Sequence, residues 1–210
     1  RSYDGPAGDD DWGLGVAVGA DGSVYVVGSV TTSTSPWNQD IFIRRYGPDG
    51  AVVWTRVLRD AANDVDEAWA AAVSGHVLYV GGIVDGSEGG PDFGDAWLRR
   101  LTTGGRTVWT RRWGGSADLN DHLAGLAVDT RGRVYAVGTQ VETGIEGNAD
   151  IFVRSYSPDG RLRWKLAYDG GSNDQGTAVA VGRDAMVAGG YRWAGRTGLD
   201  GWVRLYTGIG

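Results

Sequence analysis

Asp150-Ile151-Phe152-Val153-Arg154-Ser155-Tyr156-Ser157-Pro158-Asp159-Gly160, with Trp164 four residues on, decides how this chain is read. Ile151–Tyr156 is β-branched and aromatic, the composition of a pleated, half-buried strand. Ser157-Pro158-Asp159-Gly160 is turn chemistry, because Pro presets φ and Gly accepts a positive one. The same text returns as Asp40-Ile41-Phe42-Ile43-Arg44-Arg45-Tyr46, as Asp95-Ala96-Trp97-Leu98-Arg99-Arg100-Leu101 and as Asp200-Gly201-Trp202-Val203-Arg204-Leu205-Tyr206. Trp54, Trp109 and Trp164 follow at one constant spacing.

Working outward, Val24-Tyr25-Val26-Val27-Gly28 matches Leu78–Gly82, Val134–Gly138 and Met186–Gly190. Before those lie Gly15–Val18, Ala70–Val73, Gly125–Val128 and Thr177–Val181, all small and apolar. Each unit therefore holds four short strands separated by Gly, Asp, Asn and Pro, and no stretch reads as an amphipathic helix. A radial repeat of four-stranded sheets is a β-propeller blade, whose innermost strand must be small because blades crowd at the axis. The expected fold is all-β, a β-propeller of four four-stranded antiparallel blades. The outer tryptophans are expected to wedge adjacent blades together. A β-helix solenoid is the alternative, and it wants shorter coils of even length.

The units run approximately over 10–60, 63–114, 120–170 and 173–210, in a single domain spanning 1–210. Residues 1–5 align with 166–170, the end of a fourth strand, while the last unit has no fourth strand of its own. Two readings follow: a ring of four blades closed by the N-terminal segment, or a segment of a longer propeller. Closure by 1–5 is the preferred expectation, since an uncovered edge strand invites aggregation.

The unit resembles the bacterial SBBP-type β-propeller repeat, most clearly at Asp150, Phe152, Tyr156, Pro158-Asp159-Gly160, Trp164, Tyr168, Gly170-Gly171 and Asp174. That resemblance implies an extracellular or cell-surface (secreted) protein, often one module of a longer chain with further domains or subunits. It implies no catalytic residues, because the repeat is defined by structure. The family's name refers to seven blades and this chain carries four units.

Composition narrows the function classes. With 20 basic against 26 acidic residues, the net charge of -6 argues against a sequence-independent grip on nucleic acid. No apolar run reaches the length of a membrane span, so membrane insertion is not expected. The absence of Cys removes disulfides, thiolate nucleophiles and Cys-based metal sites. Arg1 stands where an initiator Met would, which reads as a removed targeting segment or a piece of something longer.

In propeller geometry the loops between blades and those joining second to third strands share one face. The acids collect there, so that face is expected to be acidic. Asp11, Asp64, Asp66, Asp121 and Asp174 are the candidate metal ligands, for Ca²⁺, since a hard cation wants several carboxylate and carbonyl oxygens. The competing expectation is that each Asp accepts backbone N–H bonds and fixes its loop, which suits an acid recurring in every blade better. Trp12, Trp37, Phe93 and Trp193 are the candidate ligand-binding residues, aromatics without a repeat-wide equivalent in variable loops. His76 and His122 fall on opposite faces and predict no His pair. The expected function is a non-enzymatic module that presents variable loops and an acidic face to a protein or glycan partner. A carbohydrate-binding (lectin-like) propeller is the alternative, and a glycan-active hydrolase or lyase the third reading.

Overall fold

The computed structural model describes residues 2–59, 65–85, 94–114, 120–141, 149–195 and 198–209. The first sheet is β1 (Asp11–Val18), β2 (Val24–Thr34), β3 (Trp37–Tyr46) and β4 (Val52–Leu58). The second is β5 (Glu67–Ser74), β6 (Val77–Asp85), β7 (Gly94–Thr102) and β8 (Thr107–Trp113). The third is β9 (His122–Val128), β10 (Val134–Val141), β11 (Ala149–Tyr156) and β12 (Leu162–Tyr168). β13 (Asp174–Val181), β14 (Ala185–Trp193) and β15 (Leu199–Thr207) make the fourth. Every sheet is an antiparallel meander, and among the described residues no helix is long and apolar enough to cross a membrane.

The hairpin chemistry forms as the sequence predicts. In the first blade Gly50 N donates to Gly47 O at 2.8 Å and Gly47 N to Ala51 O at 2.8 Å, and Gly50 takes φ 75°. A register shift follows at Arg45/Tyr46, and it recurs at Arg100/Leu101 and Ser155/Tyr156. This is a tight turn whose left-handed Gly forms a bulge.

A second bulge is less visible in the sequence. All four pairings of first and second strands slip by one residue, at Gly13/Gly15, Ala68/Ala70, Val137/Gly138 and Gly176/Ala178. The slip presses one backbone carbonyl of the inner strand onto the second strand. A Cβ at Gly138 would lie 2.0 Å from the His122 carbonyl oxygen, which is why this position of the unit is Gly in every blade.

Among the described residues the core is not one body but three, each between neighbouring blades. Tyr25, Val27 and Ile43 of the first blade pack on Leu78, Val80 and Trp97 of the second. Tyr79 and Leu98 pack on Leu123, Ala136 and Phe152 of the third. Tyr135, Val137 and Val153 pack on Met186, Ala188 and Trp202 of the fourth. The outer tryptophans wedge as expected: Trp54 Nε1 donates to Thr103 O at 3.1 Å and Trp109 Nε1 to Pro158 O at 2.9 Å, each across to the next blade's turn. Trp164 stacks on Tyr206 with ring centroids 6.3 Å apart.

Two expectations are corrected. Among the described residues the fourth sheet holds three strands, not four. Closure through 1–5 is not found either: β15 pairs with β14 alone among the described residues, and Tyr3 instead stacks on Phe42 of the first blade at 4.7 Å. Tyr3 lies on Phe42 under the Arg44 guanidinium as Trp113 lies on Phe152 under Arg154, and the fourth blade does not reach it: Val203 and Leu205 of β15 stay 75% and 64% exposed.

Candidate functional site

The inner strands β1, β5, β9 and β13 each begin just after an Asp-containing loop, and these loops lie together at one end of the blades. Asp66 N donates to Gln39 O at 3.0 Å, Asp121 N to Gly94 O at 2.8 Å and Trp193 N to Asn173 O at 3.2 Å. Each bond ties a loop between blades to the base of a second-to-third-strand connection, so the two loop sets share one face.

The recurring Asp is a loop clamp. Asp11 Oδ1 accepts from Thr31 N at 3.1 Å and its Oδ2 from Gly5 N at 2.6 Å. Asp174 repeats this on Trp193 N at 3.3 Å and Gly170 N at 2.5 Å, and Asp121 Oδ1 accepts from Val141 N at 2.6 Å. Asp66, Asp121 and Asp174 are all buried. Asp64 lies outside the described residues. These acids belong to separate blades and do not converge. The carboxylates that do converge, among the described residues, are Asp150, Asp169 and Asp174, with ligand atoms within 4.8 Å of one another. In the two preceding blades an arginine meets the acid equivalent to Asp150: Arg59 Nε lies 3.7 Å from Asp40, and Arg112 Nε 2.6 Å from Asp95. Asp169 takes the place of Arg59 in the third unit, so this corner gathers oxygens where the others gather charge pairs.

The aromatics singled out from the sequence are dispersed. Trp37 is 48% exposed at the end of the β2–β3 hairpin and Trp193 45% exposed at the end of β14. Trp12 is 53% exposed and lies beside Tyr3 and Phe42, on the outer side of the first blade. Phe93 lies outside the described residues.

The site the structure assembles is another one. A cavity of about 510 Å³ opens among the loop-side ends of the inner strands, lined by Glu67, Trp69, Asn120, His122, Thr139 and Gln175 with Val65, Ile83, Val141 and Ala149 among its apolar wall. That volume is in the range of small-molecule sites, mostly apolar with a few convergent polar groups. His122 and Gln175 each follow a clamping Asp, and Glu67 follows Asp66, the buried acid at the same position of the unit. Strand alternation sends the Asp between blades and the next side chain into the cavity. The scaffold thus repeats while the residue it aims inward changes, and that contrast between Asp66-Glu67, Asp121-His122 and Asp174-Gln175 was the sequence signal for the site.

Its polar groups are pre-oriented. Glu67 Oε2 accepts from Trp69 Nε1 at 2.6 Å, and Ser29 Oγ donates to Glu67 Oε1 at 3.4 Å. The Trp69 and His122 rings lie 4.7 Å apart at 52°. Trp69 is a large residue on the otherwise small inner strand β5, and it has room because the cavity faces it.

Burial holds the His122 pKa down at about 4 from its ordinary 6.5. The unfolded chain binds that proton below pH 6.5 and the folded chain does not. The neutral imidazole therefore stabilises the fold fully above pH 6.5, and that contribution is lost as pH falls toward 4. Comparing urea unfolding of the protein with that of His122→Gln, the parent is expected to lose about 2 kcal/mol more between pH 7 and pH 5. Equal slopes for the two would show an imidazole open to water.

No protein-family model matches the chain. A similar curated protein is the regulatory protein FlaEY of Caulobacter vibrioides, 33% identical over an alignment of 171 residues, which covers 70% of this chain and 17% of that protein. The chain therefore spans about a sixth of that relative's length. Among solved structures, the β-propeller domain of the Trilobed protease from Pyrococcus furiosus, described as having an open velcro topology, matches with a TM-score of 0.54 at 10% identity over 93% of this chain and 54% of that one. The GH32 β-fructofuranosidase of Bombyx mori matches with a TM-score of 0.52 at 12% identity, over 93% of this chain and 48% of that one. These likenesses show the β-propeller fold. They also correct the expectation of a module without catalysis: a propeller of this shape is the body of a glycoside hydrolase, so the architecture carries enzymes and does not set this chain apart from them.

Proposed function

We propose that the chain is a ligand-binding propeller whose seat is the cavity at the loop end of the inner strands, and that its ligand is a polyhydroxylated, glycan-type segment. The observation that carries this is the placement of different polar side chains, Glu67, His122 and Gln175, by one repeated backbone geometry around the half-buried ring of Trp69. An indole face packs on the apolar face of a sugar ring, while a carboxylate, a carboxamide and a neutral imidazole exchange hydrogen bonds with hydroxyls. His122 is neutral at pH 7, so its ring both donates and accepts. The similarity to a regulatory protein supports a role exerted through binding. Secretion to the cell surface belongs to the same proposal and rests on the repeat resemblance.

A glycan array followed by titration of intrinsic tryptophan fluorescence tests the reading. Saturable binding is expected, weakened at least about tenfold by Trp69→Ala and by Glu67→Gln, since a lost charged hydrogen bond is worth about 1.5–3 kcal/mol. An array without a hit, or affinity indifferent to both substitutions, overturns it. Chromatography of the bound oligosaccharide after incubation separates retention from cleavage.

A further inference from the structure

We infer that the ligand of the cavity is an amino sugar with a free, protonated amine, seated with its ammonium against the Glu67 carboxylate and the Trp69 indole. The inference rests on the reading of the cavity as a saccharide seat and adds the ligand's charge to it.

The charge inventory of the wall comes first. Among the described residues Glu67 is the one charged side chain that lines the cavity, and no arginine or lysine stands beside it. Asn120, Thr139 and Gln175 are neutral, and so is His122, whose pKa burial holds down at about 4. A chain with 20 basic residues has kept them away from this place. In the first three blades every arginine within a strand stands on a third or fourth strand, outside the inner strands that face the cavity. Asp66, Asp121 and Asp174, each buried one residue before a cavity side chain, add carboxylates behind the wall. Where water is restricted such charge is weakly screened. An acidic sugar would meet it with like charge and a neutral sugar would leave it uncompensated. An ammonium group compensates it.

Glu67 is also oriented for a cation. Its Oε2 accepts from Trp69 Nε1 at 2.6 Å and its Oε1 from Ser29 Oγ at 3.4 Å. Both donors are uncharged, so the carboxylate is aimed without being neutralised. Asp95 shows the contrast, since the Arg112 guanidinium lies 2.6 Å from it. The bond to Nε1 puts the carboxylate at the edge of the indole. A cation resting on that ring's face therefore gains both the π contact and the charge.

Thr139 is a second, independent sign of a ligand. It lines the same cavity, pairs with His122 across β9 and β10, and is 2% exposed. Its hydroxyl has no hydrogen-bond partner among the described residues, whereas Ser29, at the same position of the first blade, gives its own to Glu67. A buried hydroxyl left without a partner costs stability, and a ligand hydroxyl would complete it. The ammonium seat thus stands on the second blade, and neutral hydrogen-bonding groups for the rest of the sugar stand on the third and fourth.

Calorimetric titration near pH 6, where a sugar amine is protonated and His122 is not, tests this. The probes are a glucosamine oligomer, its N-acetylated form, the corresponding glucose oligomer, and Nα-acetyl-lysine amide, which carries an ammonium without a ring. The glucosamine oligomer is expected to bind at least about tenfold more tightly than the other three. Glu67→Gln keeps an oxygen for Trp69 Nε1 and should bring the three oligomers within about twofold of one another. Thr139→Val, alike in shape, should weaken all three by roughly fivefold, keep the amine preference and leave the melting temperature unchanged or raised. Equal affinity of the parent protein for the three oligomers overturns the inference and leaves the saccharide seat standing. So does an amine preference that survives Glu67→Gln or is lost in Thr139→Val. Lysine amide bound as tightly as the glucosamine oligomer, or no oligomer bound at all, overturns both.

Discussion

Gly138→Ala is expected to lower the stability of the protein by about 3 kcal/mol or more, the upper part of the range for overpacking a close-fitted site. The new methyl would lie 2.0 Å from the His122 carbonyl oxygen and 2.7 Å from the Phe152 ring, so backbone and core both obstruct it. Neither can yield cheaply, since the carbonyl is held by the bulge between β9 and β10 and Phe152 by Trp113. At this chain length the loss corresponds to a fall in melting temperature of roughly 10 °C. Gly189→Ala is the control. It lies on the equivalent strand, β14, but a Cβ there meets nothing nearer than the Trp202 carbonyl oxygen at 3.7 Å, and its effect should stay within about 1 kcal/mol. If the two substitutions behave alike under thermal or urea unfolding, the close approach is not what holds Gly in this place.

Asp174→Ala carries the second large effect. The carboxylate is wholly buried and accepts from the amides of Gly170 and Trp193, so it ties the loop entering the fourth blade to the end of β14. Removing it takes the acceptor from the Gly170 amide and leaves the Trp193 amide only its bond to Asn173 O at 3.2 Å, and a loss of about 1.5–3 kcal/mol is expected, the range for hydrogen bonds to a charged group. Its neighbours Asp150 and Asp169 let the same experiment weigh the cation expectation. For a loop clamp, the loss in Asp174→Ala is the same with calcium and with chelator, and Asp169→Asn costs little. A melting temperature that rises with calcium in the parent protein and not in Asp169→Asn would assign the three carboxylates to a cation.

The pocket and the predicted aromatic sites differ for a physical reason. Trp37 and Trp193 stand out in sequence because they break the repeat, but the structure places them at strand ends, Trp37 opening β3 and Trp193 closing β14, and neither lines the cavity. Glu67, Trp69, His122 and Gln175 lie inside strands, where the repeat masks them. What aims them at a common cavity is the bulge that shifts the inner strand by one residue, together with the arrangement of inner strands about one space. Neither is a property of any one segment.

By itself, the sequence determined the strands, their order within a blade, the turns at Gly50 and Gly160, and the tryptophan wedges, because each depends on local alternation, on φ preferences or on a contact repeated at fixed spacing. Only the tertiary structure decided where Tyr3 sits, that β15 pairs with β14 alone among the described residues, and which polar groups share the cavity. Those follow from how blades stack on one another, a long-range packing of faces to which every repeat contributes the same letters.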